Sequence, residues 1–322
     1  MTDRELQAGP DDVGTRIDRF IAGRLDELSR AQVQRLIDEG AVRIGDQPVS
    51  KASLTVEEGH CIVITVARRP ATTALQAEAI PLDVIYEDEA IAIINKPAGM
   101  VMHPAPGHPT GTLVHALLHR FGDRLTAIAD ASRPGIVHRL DRGTSGVVAV
   151  ALTDHAHREL ARQFAERLVR KEYLALVYGA PEDPTGTVDV PLGRDPKDRK
   201  RISTRARNAR EAITDWRCIE RMPGFGLIEA RPRTGRTHQI RVHLAHLRHP
   251  IVGDTDYAGR QWRGITEGRI RSAVANFPRP ALHARRLAFE HPVTGESVTF
   301  EVPLADDILE LLGTLRDWRD TG

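Results

Sequence analysis

Residues 68–79, RRPATTALQAEA, show no apolar periodicity of either helical or strand kind, and they open on Arg-Arg-Pro. A stretch that can bury no face on a regular element is a connector, so the chain folds as a small unit, residues 15–67, followed by a larger one, residues 80–322. The total of 322 residues agrees with two domains at roughly 150 residues each. Hydrophobic residues at 41% and charged residues at 28% exclude collagen-like, low-complexity and disulfide-scaffold chains. Cys61 and Cys218 stand far apart with no CxxC or Cys/His cluster, which indicates neither a disulfide framework nor a thiolate zinc site. The start, MTDRELQAGPDD, has no apolar signal-peptide region, and the longest apolar run, Val147 to Leu152, is far too short to span a membrane. The expectation is a cytoplasmic protein without membrane partners.

In the first unit, after a ragged start, Ile17, Phe20, Ile21, Leu25 and Leu28 fall at helical spacing. Ser29 and Gln32 form a capping box for a second helix, whose apolar face is Val33, Leu36 and Ile37 and whose stop is Gly40. Two short strands, Ala41 to Ile44 and Gln47 to Ser50, flank Gly45-Asp46, and a last strand alternates Ile62, Ile64 and Val66. Arg30, Gln34 and Arg35 lie on the solvent side of the second helix. They are either ordinary solvated charges or contacts to an anionic partner, and residues 1–66, with 8 basic against 12 acidic side chains, do not decide it.

The larger unit reads as strand-rich, over Leu82 to Tyr86, Ala90 to Asn95, Gly146 to Leu152, Glu172 to Tyr178, Leu227 to Arg231, Gln239 to Leu244 and Ser297 to Val302. Helices are expected from about Asp154 to Leu168 and over the closing Ile308, Leu311, Leu312, Leu315 and Trp318. This is an α+β domain on a mixed sheet. Charge is uneven: residues 131–286 carry 30 Lys and Arg against 17 Asp and Glu, while the rest carries 15 against 27. One stretch is built to meet anions. The basic run at 194–210, RDPKDRKRISTRARNAR, with Lys200 and Arg201, suits a mobile arm contacting phosphates, with an ordinary solvated loop as the alternative.

The sharpest local feature is HRLDRGTSG at 138–146, where Asp141 stands between Arg139 and Arg142 before a glycine-bracketed turn and an apolar strand. By itself Asp141 is a turn carboxylate or a catalytic one. Ile240, Val242 and Leu244 alternate with Gln239, Arg241 and His243, so a strand here presents Arg241 opposite the buried set. Tyr173 shares a strand face with Lys171, Ala175 and Val177. His238, His243, His246 and His249 crowd one segment without an acidic ligand, and no metal site is read from them.

HRLDRGTSG resembles the signature of the RluA-type pseudouridine synthases. NKPAGMVMHP at 95–104, RKEYLALVYG at 170–179 and TGRTHQIRVHLAHLRHPIVGD at 234–254 resemble the other blocks of that family, in the same order. The helix–strand pattern SRAQVQRLIDEGAVRIGDQPVSKASLTVEEGHCIVI resembles the S4 RNA-binding domain. Together these motifs cover residues from about 15 to 318, and the arrangement is most similar to the subgroup acting on helix 69 of large-subunit (23S) ribosomal RNA.

The resemblance implies a small S4 domain before a catalytic domain that turns uridine into pseudouridine, with no cofactor and no metal. The partner is RNA, naked or within an assembling subunit, and the protein is expected to act as a monomer. Asp141 is then the catalytic carboxylate, attacking C1′ or helping remove a 2′ proton, and Arg241 pairs with it. Tyr173 stacks on the target base or takes the C5 proton, and Arg139 fills the gap left by the extruded nucleotide. Arg236 and His238 join Arg30, Arg35, Lys200 and Arg201 as RNA contacts. The family often has Lys-Asp where this chain has Arg142-Gly143, which affects local loop contacts only. The competing readings are a nucleoside or glycoside hydrolase, for which no second carboxylate is evident, and a non-catalytic RNA-binding or ribosome-assembly protein.

Overall fold

The computed structural model describes residues 2–25, 28, 30–66, 75–105, 107–126, 133–198 and 201–321. Most of the expected connector, 68–74, lies outside the described residues, as do Ser29, Lys200 and the side chains of Gln32 and Arg35. The chain divides into two compact units, Met1–Ala74 and Leu75–Gly322.

In the first unit, β1 (Thr2–Gln7), α1 (Ile17–Arg24), α2 (Arg30–Asp38), β2 (Val42–Ile44), β3 (Gln47–Pro48) and β4 (Cys61–Val66) build a sheet of order β1-β4-β2-β3 under two helices. Ile17, Phe20, Ile21, Val33 and Ile37 bury their side chains with Ile62 and Ile64 of β4. The start that reads as ragged is β1, paired antiparallel to β4 from Thr2↔Val66 to Gln7↔Cys61. An edge strand needs few apolar side chains, so its polar sequence gives little sign of it.

Asp18, at the start of α1, is fully buried. It accepts bonds from Arg16 Nε and Nη2 (3.1 Å each), Arg30 Nε (2.9 Å) and Gln34 Nε2 (2.8 Å). Burial alone would raise its pKa, but these donors outweigh it and hold the carboxyl well below the usual range. Arg30 and Gln34 are therefore tied to an internal carboxylate rather than merely solvated.

In the second unit the strands are β5 (Asp83–Glu87), β6 (Ile91–Lys96), β7 (Ser145–Ala151), β8 (Arg170–Tyr178), β9 (Thr185–Asp189), β10 (Gly193–Arg194), β11 (Ile202–Ser203), β12 (Ile213–Met222), β13 (Phe225–Pro232), β14 (Leu282–Glu290) and β15 (Ser297–Glu301). The helices are α3 (Leu113–Phe121), α4 (Asp123–Thr126), α5 (Asp154–Ala165), α6 (Gln239–His246), α7 (Gly268–Ala275) and α8 (Asp306–Thr321). One nine-stranded sheet runs β5-β6-β7-β14-β8-β13-β12-β9, with β15 added on β14, while β10 and β11 form a separate hairpin. Only the β7/β14 pair is parallel among the described ladders, joined at His283↔Ser145 and Ala284↔Gly146. Two apolar cores result. One gathers β6, β7, α3 and α5, the other β8, β12, β13 and helices α6 to α8, and Tyr173 packs against both.

The expected strand over Gln239 to Leu244 is instead helix α6. Its alternation misleads because Gln239, Arg241 and His243 are buried alongside Ile240, Val242 and Leu244. The helix expected to reach Leu168 ends at Ala165, where Arg167 turns left-handed (φ 63°) and leaves Leu168 exposed. Strands β12 and β14 escape the sequence because charged side chains interrupt their apolar positions.

Candidate active site

Asp141 stands four residues before β7, on a loop fastened from several sides. Gly99 N donates to Arg142 O (2.7 Å), Arg279 Nη1 to Gly143 O (3.2 Å), and Thr144 N to Asp141 O (3.0 Å), while Leu140 is buried in the first core. His138 stacks on Phe164 at 4.5 Å and accepts from Ala149 N at 2.9 Å. Burial, with Lys171 adding to it, pushes the His138 imidazole down to about 3, so the ring is a neutral acceptor that anchors the loop.

The NKPAG block supplies the other support. Lys96 is fully buried at the end of β6 and donates to Pro97 O (2.8 Å) and Met100 O (3.0 Å), fixing the turn whose Gly99 amide holds Arg142. Burial and nearby Arg279 lower its pKa to about 7, against the pull of Asp141.

From the other half of the unit, α6 brings Arg241 to the carboxylate. Arg241 Nε and Nη2 grip Asp254 (2.7 and 2.8 Å), and Nη2 also meets Asp256 (2.7 Å). Nη1 then lies 3.6 Å from Asp141 Oδ2, an ion pair longer than a hydrogen bond. Burial opposes the charge, but the carboxylates of Asp254, Asp256 and Asp141 prevail and raise the guanidinium's pKa.

His238, left-handed at φ 55° just before α6, places Nε2 3.8 Å from the same Asp141 oxygen. Its Nδ1 lies 2.8 Å from Tyr257 Oη, which itself accepts from Ile202 N at 3.0 Å. The Tyr257 hydroxyl and Nδ1 share one hydrogen bond, which fixes the ring so that Nε2 faces Asp141. Burial lowers the His238 pKa and Asp141 pulls the other way, the net being a lowered pKa.

The turn before α6 is held by Gln239. Its Oε1 accepts from Thr234 Oγ1 (2.7 Å) and Arg236 N (2.9 Å), and its Nε2 donates to Ile213 O (2.9 Å) and Thr214 Oγ1 (3.0 Å). All four bonding positions of the amide are used, which explains a glutamine on a buried helix face.

His138, Asp141, His238, Gln239 and Arg241 line a cavity of about 410 Å³. Asp141, Tyr173, Lys171 and Arg241 lie within it, with exposed Arg139, Arg167 and Arg233 and half-buried Arg236 around them. Burial, with the charge of Asp141, pushes the Tyr173 phenol above its usual range. Arg167 pairs with Glu211, Arg233 with Asp215 at 2.6 Å, and Arg236 donates to Glu211 O.

Of the residues singled out from sequence, Asp141, Tyr173, Arg241, Arg139, Arg236 and His238 converge on this cavity. Arg201 lies at the β10–β11 hairpin, against the Tyr257 ring at 5.1 Å and bonded to Asp256 O. Arg30 belongs to the first unit and its Asp18 cluster. The other histidines diverge: His243 bonds Thr214 and Val190 O, His249 bonds Tyr178 O, and His246 is exposed. No group of three His, Cys, Asp or Glu side chains that could hold a metal occurs among the described residues. Sequence reasoning overlooks Asp254, Asp256 and Tyr257. Their signal is the run GDTDY at 253–257, whose acidic residues close a block otherwise rich in Arg and His.

Comparison with known proteins identifies the family. The RNA pseudouridylate synthase family model matches residues 90–246, and the S4 domain model matches 15–62. An uncharacterized RNA pseudouridine synthase of Bacillus subtilis is 41% identical, covering 98% of this chain and 99% of its own. Ribosomal large subunit pseudouridine synthase D of Xanthomonas campestris is 40% identical, over 94% and 90%. Among solved structures, human RNA pseudouridylate synthase domain containing 4 superposes with a TM-score of 0.56 at 25% identity, over 72% of this chain and 92% of its own. The chain belongs to the RNA pseudouridine synthases, carrying an S4 domain ahead of the catalytic domain. It is thus an isomerase acting on RNA, and the hydrolase reading is set aside. No described helix is long and apolar enough to cross a membrane.

Proposed function

We propose that this chain converts uridines of large-subunit ribosomal RNA, in the helix 69 stem-loop, to pseudouridine, with Asp141 as the catalytic carboxylate. The observation that carries the reading is the Asp141 carboxylate inside the cavity, faced by Arg241 at 3.6 Å and His238 at 3.8 Å, with Tyr173 beside it. The Xanthomonas relative, named for the large ribosomal subunit, supports the choice of RNA. The reading takes the protein as a cytoplasmic monomer needing no cofactor or metal.

Asp141 works on the ribose, either by bonding to C1′ as N1 departs or by helping remove the 2′ proton. The base then turns and C5 bonds to C1′. Arg241, held by Asp254 and Asp256, has little freedom to follow Asp141, so it orients the carboxylate without capturing it in a short hydrogen bond. Tyr173 stacks on the base. Its raised pKa makes the phenol a poor proton acceptor, which favours stacking over proton abstraction. Arg139, exposed at the cavity, occupies the space vacated by the flipped nucleotide. Arg236, His238 and Arg201 contact RNA around the site, Lys200 follows in the same basic run, and Arg30 and Arg35 contact it from the S4 domain.

The test is tritium release from C5-labelled uridine in a large-subunit ribosomal RNA transcript, wild type beside Asp141→Asn. Release by wild type alone, with base retained, is expected. Tight binding without release from either protein overturns the choice of RNA and points to uridines elsewhere, and equal release from both removes Asp141 from the chemistry.

A further inference from the structure

Breaking the C1′–N1 bond sends its electron pair onto the base, which leaves as a uracil anion with charge spread over N1, O2 and O4. The cations already described are poorly placed to meet that charge. Arg241 is committed to Asp254, Asp256 and Asp141 on the ribose side, and Arg167 and Arg233 are exposed and paired with carboxylates. Lys171 differs. It lies on β8 two residues before Tyr173 and on the same face, and both side chains line the cavity. Its Nζ reaches Thr234 O at 3.5 Å, and among the described residues no carboxylate stands within ion-pair distance of it.

We propose that Lys171 is a catalytic residue of this reaction, whose ammonium donates to a carbonyl oxygen of the uracil ring as the glycosidic bond breaks. The inference rests on Asp141 acting at the ribose and Tyr173 stacking on the base. A base stacked on Tyr173 lies along the strand face that Lys171 shares, whereas phosphates meet the exposed arginines. The ammonium keeps its proton throughout, and the step balances: C1′–N1 breaks and the pair resides on the base, a pair from the ring forms the C5–C1′ bond, and loss of the C5 proton is matched by uptake of a proton at N1. A half-buried cation has more effect on developing charge than one in water, because less solvent screens it. Burial also lowers the Lys171 pKa to about 8, the cost of keeping this cation in the cavity without a carboxylate partner.

The test compares wild type, Lys171→Met and Lys171→Arg in single turnover at saturating RNA, beside their RNA affinities. Each is run on uridine RNA and on RNA carrying 5-fluorouridine at the target. Fluorine makes the base a less basic leaving group. It also blocks loss of the C5 proton, so formation of the fluorinated C-glycoside reports cleavage and rejoining. Lys171→Met is expected to slow uridine conversion about 100-fold with affinity unchanged, the scale of removing one donor from developing charge. The deficit should shrink to about 10-fold on the fluorinated substrate, and Lys171→Arg should recover most of the rate.

An equal deficit on both substrates would assign Lys171 to structure alone. Weakened affinity with the saturated rate intact would make it a phosphate contact. Either result overturns the proposal. Should Lys171→Met fail to fold, Lys171→Gln carries the same comparison. Asp141→Asn runs alongside: if it turns over like wild type, the functional reading itself has failed, and the Lys171 result is not what failed it.

Discussion

A lysine with no exposed surface at the end of a strand must be explained by what it holds. Lys96 spends its protons on the carbonyls of Pro97 and Met100, and the turn so fixed presents the Gly99 amide to the Asp141 loop. Its pKa of about 7 in the folded chain, against 10.5 ordinarily, has a definite consequence for stability. Between those two pH values the unfolded chain binds more protons at this residue than the folded chain. Its contribution to stability therefore rises with pH across that window, and is least favourable below about pH 7. Lys96→Met removes this dependence while leaving two carbonyls unpartnered. The stability difference between wild type and Lys96→Met, measured by urea denaturation, should shift toward wild type as pH rises from about 7 to about 10, other titrations cancelling between the two proteins. A constant difference would show that Lys96 ionises normally. At this scale the sequence exposes Asp141 and Tyr173 through motifs, yet says nothing of Lys96. Burial of a charged side chain is decided by atoms that arrive from elsewhere in the chain.

Elements carry a different share of the information. Strands β6, β7, β8 and β13 are legible because their apolar residues obey a strand pattern, whereas α6 is not, since a helix buried all round erases the contrast between faces. Besides the bonds that fasten its loop, the position of Asp141 depends on the junction where β7 meets β14 in parallel. At Gly146, φ is 115°, and a Cβ added there would lie 2.1 Å from Ala284 O. Gly146→Ala thus combines a disfavoured backbone with a collision against backbone that cannot swing away. It should cost about 3 kcal/mol or more and misplace the Asp141 loop. Gly295→Ala is the control: φ is 71° there too, but nothing lies within 4 Å, so a cost of about 1 kcal/mol is expected. Equal losses in thermal or urea denaturation would mean that the close approach at the β7/β14 junction does not matter.

At the scale of the whole molecule, counting charge is less informative than asking which charges are already engaged. Residues 131–286 carry the excess of cations, but Arg167 and Arg233 in that stretch are paired with carboxylates. In the S4 domain, Arg16 and Arg30 are held by buried Asp18. Arg139 is exposed at the cavity, with no carboxylate within ion-pair distance among the described residues. Affinity for RNA should fall steeply with salt, because each phosphate neutralised releases condensed counterion. Arg139→Ala should flatten the plot of log affinity against log salt by about one unit. Arg30→Ala should flatten it less, since that guanidinium already faces a carboxylate whose charge offsets its own, and should instead lower the stability of the N-terminal unit by stripping a donor from Asp18. Equal changes of slope would mean that the Asp18 cluster opens when RNA binds and releases its arginines to the phosphates.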